Sequence, residues 1–225
     1  MKDLNFCKDV TLAIADVWRK PDQHGIPIAV RFATLAAVLM RQNQGKQGAG
    51  LTGGRQQEDL FRDMLSYGDP RFTETGTPTV RDADYYFKGQ PLSHKTIGFQ
   101  GSGDLALAWS KNGPGGLVRN QFLASMVVMN FRDPKKSGTL RGHPQGAHVL
   151  PRDWLQANIT FSSNNKTDSL IGAKEIERAM RFARSQGLFV PLAYVHTAGG
   201  AARVRLWYSG AEPAASALDP PTSID

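Results

Sequence analysis

The chain has 225 residues, 40% hydrophobic and 21% charged, which suits one soluble globular domain with a single sizeable core. A formal net charge of +7 and a pI near 9.7 favour polyanionic partners, nucleic acid first. No apolar run approaches the roughly 18 residues of a membrane span; the polar N-terminus lacks a signal core, and one cysteine, Cys7, permits neither an internal disulfide nor a cysteine-built zinc site, so a reducing cytoplasm is expected.

In chain order, Phe6, Val10, Ile14 and Val17 recur at helical spacing and predict an amphipathic helix over 4–19. "PIAVRFATLAAVLMRQ", 27–42, predicts a second helix, apolar on most sides and so central. The glycines of "NQGKQGAGLTGG", 43–54, argue against a helix there. Two readings of this stretch stand side by side: a flexible linker, or a backbone that closely approaches DNA phosphates. Lys46 and Arg55 are its DNA-contact candidates. "RQQEDLFRDMLS", 55–66, predicts a third helix with Leu60, Met64 and Leu65 toward the core and Glu58 near its start. Asp59 and Asp63 read as solvated charges on that helix. Strands follow at 83–88 and 91–98, then a short helix at 104–111 capped by Asp104, and a buried central strand within "FLASMVVMNF", 122–131.

The Lys-, Arg- and Gly-rich stretch 132–146 predicts a loop suited to tracking phosphates, with Lys135, Lys136 and Arg141 as contacts. A strand at 157–162 runs into the turn cluster "SSNNKTDS", where Asn164, Asn165 and Lys166 are candidates for reading base edges. A helix at 172–186 carries Arg178, Arg181 and Arg184 on its exposed side, and strands at 188–196 and 202–208 close the domain. Residues 1–209 thus form one domain, mainly helical over 1–80 and sheet-built over 81–209, with 210–225 as a disordered tail. Helices first, then a mixed sheet with interleaved helices, predicts an α/β fold.

The chemistry concentrates in "DADYYFKGQPLSHKTIG", 82–98. A turn at Lys88-Gly89 sets Asp84 across from Ser93 and Asp82 across from Lys95. Side chains two apart on a strand share a face, so all four stand on one side of the hairpin while His94 turns to the other and reads as a packing residue. Carboxylates on such a face suit Mg²⁺, a hard ion that takes oxygen ligands and keeps several waters. The ion lowers the pKa of a water, and a neighbouring lysine can orient or deprotonate it for attack on a phosphodiester. Ser93 offers only a hydroxyl where a second acid is wanted, so another carboxylate must come in: Glu58 first, Asp104 second. Asp82 and Asp84 remain alternatives for the central ligand.

With these residues in view, the hairpin resembles that of type II restriction endonucleases of the PD-(D/E)XK superfamily. An aspartate is followed by Ser93-His94-Lys95 in the place of the acid-x-lysine triplet, as in members that carry serine there. "TGGRQQEDLFRDML" is similar to the family's N-terminal helix, in which a glutamate leans into the active site. The likeness departs from the pattern at Arg81 and Ala83, where a proline would precede the aspartate. The resemblance implies a restriction-endonuclease-like core, a central mixed β-sheet flanked by helices. It also implies a cytoplasmic, homodimeric, Mg²⁺-dependent enzyme cutting double-stranded DNA at specific sites, with a cognate methyltransferase encoded nearby. Asp84, Lys95, Glu58 and Ser93 would be catalytic, and Asp84, Asp82, Glu58 and Asp104 would be the metal ligands. A repair or junction nuclease with the same core, or a DNA-binding protein without catalysis, are the competing expectations.

Overall fold

A computed structural model describes residues 2–42, 49–73, 83–98, 103–108, 121–132, 134, 137–164, 168–191, 193–198 and 201–206. Three helices open the chain: α1 (Asp3–Arg19), α2 (Ile28–Gln42) and α3 (Ala49–Gly68). Of the expected periodic set, α1 buries Val10, Ile14 and Val17 and leaves Phe6 half-buried, with Cys7 buried beside it. Burial also pushes the Cys7 thiol up to about 12, which keeps it a neutral packing residue. Helix α2 is less central than its composition suggested. It buries Ile28, Phe32, Ala33 and Ala36 but leaves Leu35 and Val38 exposed.

Helix α3 starts well before the expected position and takes in Gly50, Gly53 and Gly54. Each helical glycine costs about 1 kcal/mol relative to alanine. Packing of α3 on α2, α1 and the sheet outweighs that propensity. The other end of α3 is fitted just as tightly. A Cβ added at Gly68 would stand 2.5 Å from Cγ1 of Val17, so glycine is what lets α1 and α3 approach. The ammonium of Lys20 donates to the Gly68 carbonyl at 2.6 Å and ties the same junction.

The main sheet has six strands: β1 (Phe72–Thr73), β2 (Tyr85–Phe87), β3 (Gln90–Ile97), β5 (Ser125–Asn130), β6 (Gly146–Leu150) and β9 (Phe189–Pro191), in the order β1-β2-β3-β5-β6-β9. Only β3 and β5 pair in parallel; the rest is antiparallel, so the sheet is mixed, as expected. Every residue of β5 and β6 is buried, which a strand covered on both faces requires. Helices α1 and α5 (Ala173–Ser185) both pack on β6. Aromatic contacts knit the helices to the sheet: Phe32 to Phe61 at 5.4 Å, Phe61 to Tyr85 at 6.4 Å and Phe6 to Phe87 at 6.1 Å between ring centroids.

Two further expectations need correction. The helix foreseen at 104–111 is β4 (Leu105–Ala108), drawn into an antiparallel ladder with β8 (Asp168–Ile171). Beside them β7 (Phe161–Asn164) completes a three-stranded sheet. The strand foreseen at 157–162 begins instead as helix α4 (Arg152–Asn158), and β7 follows it. Pro151 at the N-cap and Asp153 in the first turn were the start signals of α4. Its anchors are buried Leu155 and Trp154, which stacks on Phe182 at 4.3 Å. A two-stranded antiparallel ladder of β10 (Ala193–Ala198) and β11 (Ala201–Leu206) ends the described chain and packs on α2. The tail 210–225 lies outside the described residues. Among the described residues no helix is long and apolar enough to cross a membrane.

A candidate active site at the β2–β3 hairpin and helix α3

The hairpin turns where the sequence placed the turn. Lys88 and Gly89 have φ of 50° and 75°, the pair of left-handed conformations that a two-residue type I′ turn needs. A Cβ at Gly89 would meet nothing within 4 Å, so backbone conformation, not space, selects glycine there. With Phe87 opposite Gln90 and Tyr85 opposite Leu92, the register continues outward to Asp84 and Ser93, and the Asp84 N–H donates to the Leu92 carbonyl at 2.9 Å.

Asp84 stands just before the first residue of β2, and its carboxylate takes over where the ladder ends. Oδ2 accepts the His94 N–H at 2.5 Å and the Ser93 hydroxyl at 3.3 Å. Ser93 is thus a donor that fixes Asp84. On the same side, Lys95 donates from Nζ to the His94 carbonyl at 2.6 Å, which holds the ammonium 3.6 Å from Asp84 Oδ2. Glu58 arrives from α3, with Oε1 3.8 Å from the same nitrogen. Because α3 begins at Ala49, Glu58 sits mid-helix and the helix N-terminal dipole does not act on it. Lys95 and Glu58 are each 21% exposed and Asp84 35%, so these charges are partly withdrawn from water yet open to a ligand. A pocket of about 310 Å³ opens here, lined by Glu58, Asp59, Arg62 and Asp84.

The support behind the site is aromatic. Helix α3 lays Phe61 against the His94 ring at 4.5 Å, and Tyr85 packs edge-on to it at 6.3 Å. Burial lowers the His94 pKa to about 3, with the Lys95 charge adding to the effect, so the imidazole is a neutral packing group. The Tyr85 hydroxyl is pushed well above its usual value by burial and by the Asp84 and Glu58 charges, so it stays protonated. Phe61 and Glu58 lie one helical turn apart on α3, so the contact that seats the helix on His94 also delivers the glutamate.

Of the predicted residues, the structure therefore brings together Asp84, Ser93, Lys95 and Glu58. Asp104 is placed elsewhere. It precedes β4 rather than starting a helix, and its Oδ1 accepts the Ala173 N–H at 2.7 Å, capping α5. The lining of the Glu58–Asp84 pocket does not include it. Asp82, Lys46, Lys135, Lys136, Asn165 and Lys166 lie outside the described residues, as do the side chains of Arg55 and Asn164. Arg141 is exposed on a loop that is braced from within. Asn130 donates to the Pro144 carbonyl at 3.0 Å, Gln145 to the Phe131 carbonyl at 2.6 Å and Arg132 to the Ser137 carbonyl at 2.7 Å. Sequence reasoning missed Asp59 and Arg62 as pocket residues. The spacing of Arg62, one turn beyond Glu58, was the available signal.

The donor set suits the expected ion. Asp84 and Glu58 offer carboxylate oxygens, and Mg²⁺ is commonly held by one or two carboxylates while keeping several waters. Among the described residues no group of three His, Cys, Asp or Glu side chains forms a fuller metal cage.

The sequence matches no protein-family model and no curated protein. Among solved structures it is similar to a restriction endonuclease in complex with substrate DNA, at 16% identity and a TM-score of 0.45, covering 78% of this chain and 84% of that one.

Proposed function

We propose that this protein is a Mg²⁺-dependent DNA endonuclease of type II restriction character, hydrolysing phosphodiester bonds in double-stranded DNA. The observation that carries the reading is the convergence of Asp84 and Glu58 on Lys95, at 3.6 and 3.8 Å, beside an open pocket. A hairpin lacking its usual second acid receives one from α3. The net charge of +7 supports a nucleic-acid substrate.

In this mechanism Asp84 and Glu58 hold Mg²⁺, with Asp82 as a further ligand. When bound, the ion lowers the pKa of water and offsets charge on the phosphate oxygens. Ser93 and the His94 N–H keep Asp84 aimed. Lys95 has one of its three N–H donors on the His94 carbonyl, which leaves two to orient the attacking water and steady the phosphate. Arg141, Lys135, Lys136, Lys46 and Arg55 would track phosphates, and Asn164, Asn165 and Lys166 would read bases. A homodimer, each subunit cutting one strand, fits a palindromic site. The setting proposed is the cytoplasm, with a methyltransferase encoded nearby to protect the host DNA.

Incubation of purified protein with phage DNA and Mg²⁺ tests the reading. Discrete fragments that vanish with Lys95→Ala are expected. Cleavage confined to nicked or branched DNA would instead indicate a repair nuclease. Retained binding without cutting would indicate a DNA-binding module, and full-rate cutting by Lys95→Ala removes the assignment of this site.

A further inference from the structure

We propose that Arg62 is the phosphate clamp of this site, gripping the non-bridging oxygens of the strand being cut; the inference rests on the nuclease reading above. Arg62 follows Glu58 by one turn of α3, so both project to the same side, and both line the pocket with Asp59 and Asp84. Among the described lining residues Arg62 alone is cationic, the other three being acids. Among the described lining residues a phosphodiester entering there meets three carboxylates and the Arg62 guanidinium, with Lys95 3.6 Å from Asp84 and 3.8 Å from Glu58.

The guanidinium is already spread in the form that binds phosphate. Nη1 is 3.0 Å from Asp59 Oδ1 and Nη2 is 3.2 Å from Asp63 Oδ1, so its two terminal nitrogens point to two separate oxygens. The planar fork of arginine matches two phosphate oxygens in the same manner. The present acceptors are weak competitors. Asp59 and Asp63 are 57% and 59% exposed, and water solvates them readily once the guanidinium leaves. Arg62 itself is 28% exposed, partly withdrawn from water, where a charge-assisted hydrogen bond to phosphate gains strength. The two exposed ion pairs thus compete with phosphate for the guanidinium, and an arriving strand displaces them.

Single-turnover cleavage of phage DNA with Mg²⁺ and metal-free binding of the same DNA across a salt series test this. Arg62→Ala should cut about 100-fold more slowly, the size of loss seen when one preorganised donor leaves an active site. It should also lower the slope of log binding constant against log salt by about one phosphate's worth. Arg62→Lys keeps the charge without the fork and should fall between; it also serves if the alanine variant does not fold by thermal melting. Asp63→Asn should cut at the original rate or faster, because it only releases the clamp. Wild-type cutting and salt slope in both Arg62 variants would overturn the clamp while leaving the nuclease reading intact. A loss in Asp63→Asn as deep as in Arg62→Ala would overturn it too, since Arg62 would then act through its ion pairs. No cutting by the wild-type protein overturns the nuclease reading, and this inference with it.

Discussion

His94 on β3 and His148 on β6 flank the same central strand, paired with Val127 and Val128 of β5. Both are fully buried, both rings lie 4.5 Å from a phenylalanine (Phe61 and Phe189), and burial lowers both pKa values to about 3. Their surroundings nonetheless differ. The strand neighbours of His148 are Ala147 and Val149, buried and apolar, and the nearby acid, Glu177, is engaged with His143 at 3.6 Å. The strand neighbours of His94 are Ser93 and Lys95, and its own N–H and carbonyl hold Asp84 and Lys95. A buried histidine is therefore core in both places. What separates a site from a packing layer is the set of polar residues at alternate strand positions and an outside helix that delivers an acid to them.

The sharpest way to break this comparison is to remove charge without removing shape. Asp84→Asn keeps an oxygen that accepts from Ser93 and His94, so melting temperature should hold within a few degrees. Cleavage should drop by at least about 100-fold if the lost carboxylate holds the ion as proposed. Glu58→Gln should lose cutting to a similar degree, whereas the matching change across the sheet, Glu177→Gln, should leave it unaltered. Equal effects of the two glutamine variants in a quantitative cleavage assay would erase the distinction between the regions.

Phe61→Ala comes next. A fully buried phenylalanine that contacts Phe32, Tyr85 and His94 should cost about 3–5 kcal/mol in urea unfolding. Because Phe61 seats the turn of α3 that carries Glu58, cutting by the folded fraction should fall as well. An unchanged rate per folded molecule would show that Glu58 is positioned by something else.

The hairpin was legible in the sequence because its cues are local. Lys88-Gly89 specifies the turn, and strand parity then fixes Asp84, Ser93 and Lys95 on one side. Helix α1 was legible for the same reason, from apolar spacing, and α5 lies within the helix expected over 172–186. Elements decided by distant partners were not. Asp104 reads as the cap of the residues that follow it, but the N–H it satisfies lies 69 positions onward. Gly50, Gly53 and Gly54 read as a linker or as backbone approaching DNA phosphates, and the packing of α3 against its neighbours makes them helical. Arg62 resembles any solvated helix charge until the pocket beside it is seen.

The smallest effect treats the two histidines as alike. The folded pKa of each, about 3, lies below the ordinary value of 6.5, so between those limits an unfolded chain binds protons that the folded one refuses. Their contribution to stability is complete above about pH 6.5 and shrinks as pH falls toward 3, by about 1.4 kcal/mol per pH unit for each histidine. His143, lowered by burial despite the opposing pull of Glu177, adds in the same direction. Urea midpoints should therefore drop between pH 7 and pH 5, and His148→Leu and His94→Leu should each flatten that drop by a similar amount. Only His94→Leu, which alters the packing under Glu58, should also slow cleavage at pH 7.5. A midpoint that stays level from pH 7 to pH 5 in the unmodified protein would mean that neither imidazole is held neutral. Buried histidine would then be the wrong common ground on which to set the two regions side by side.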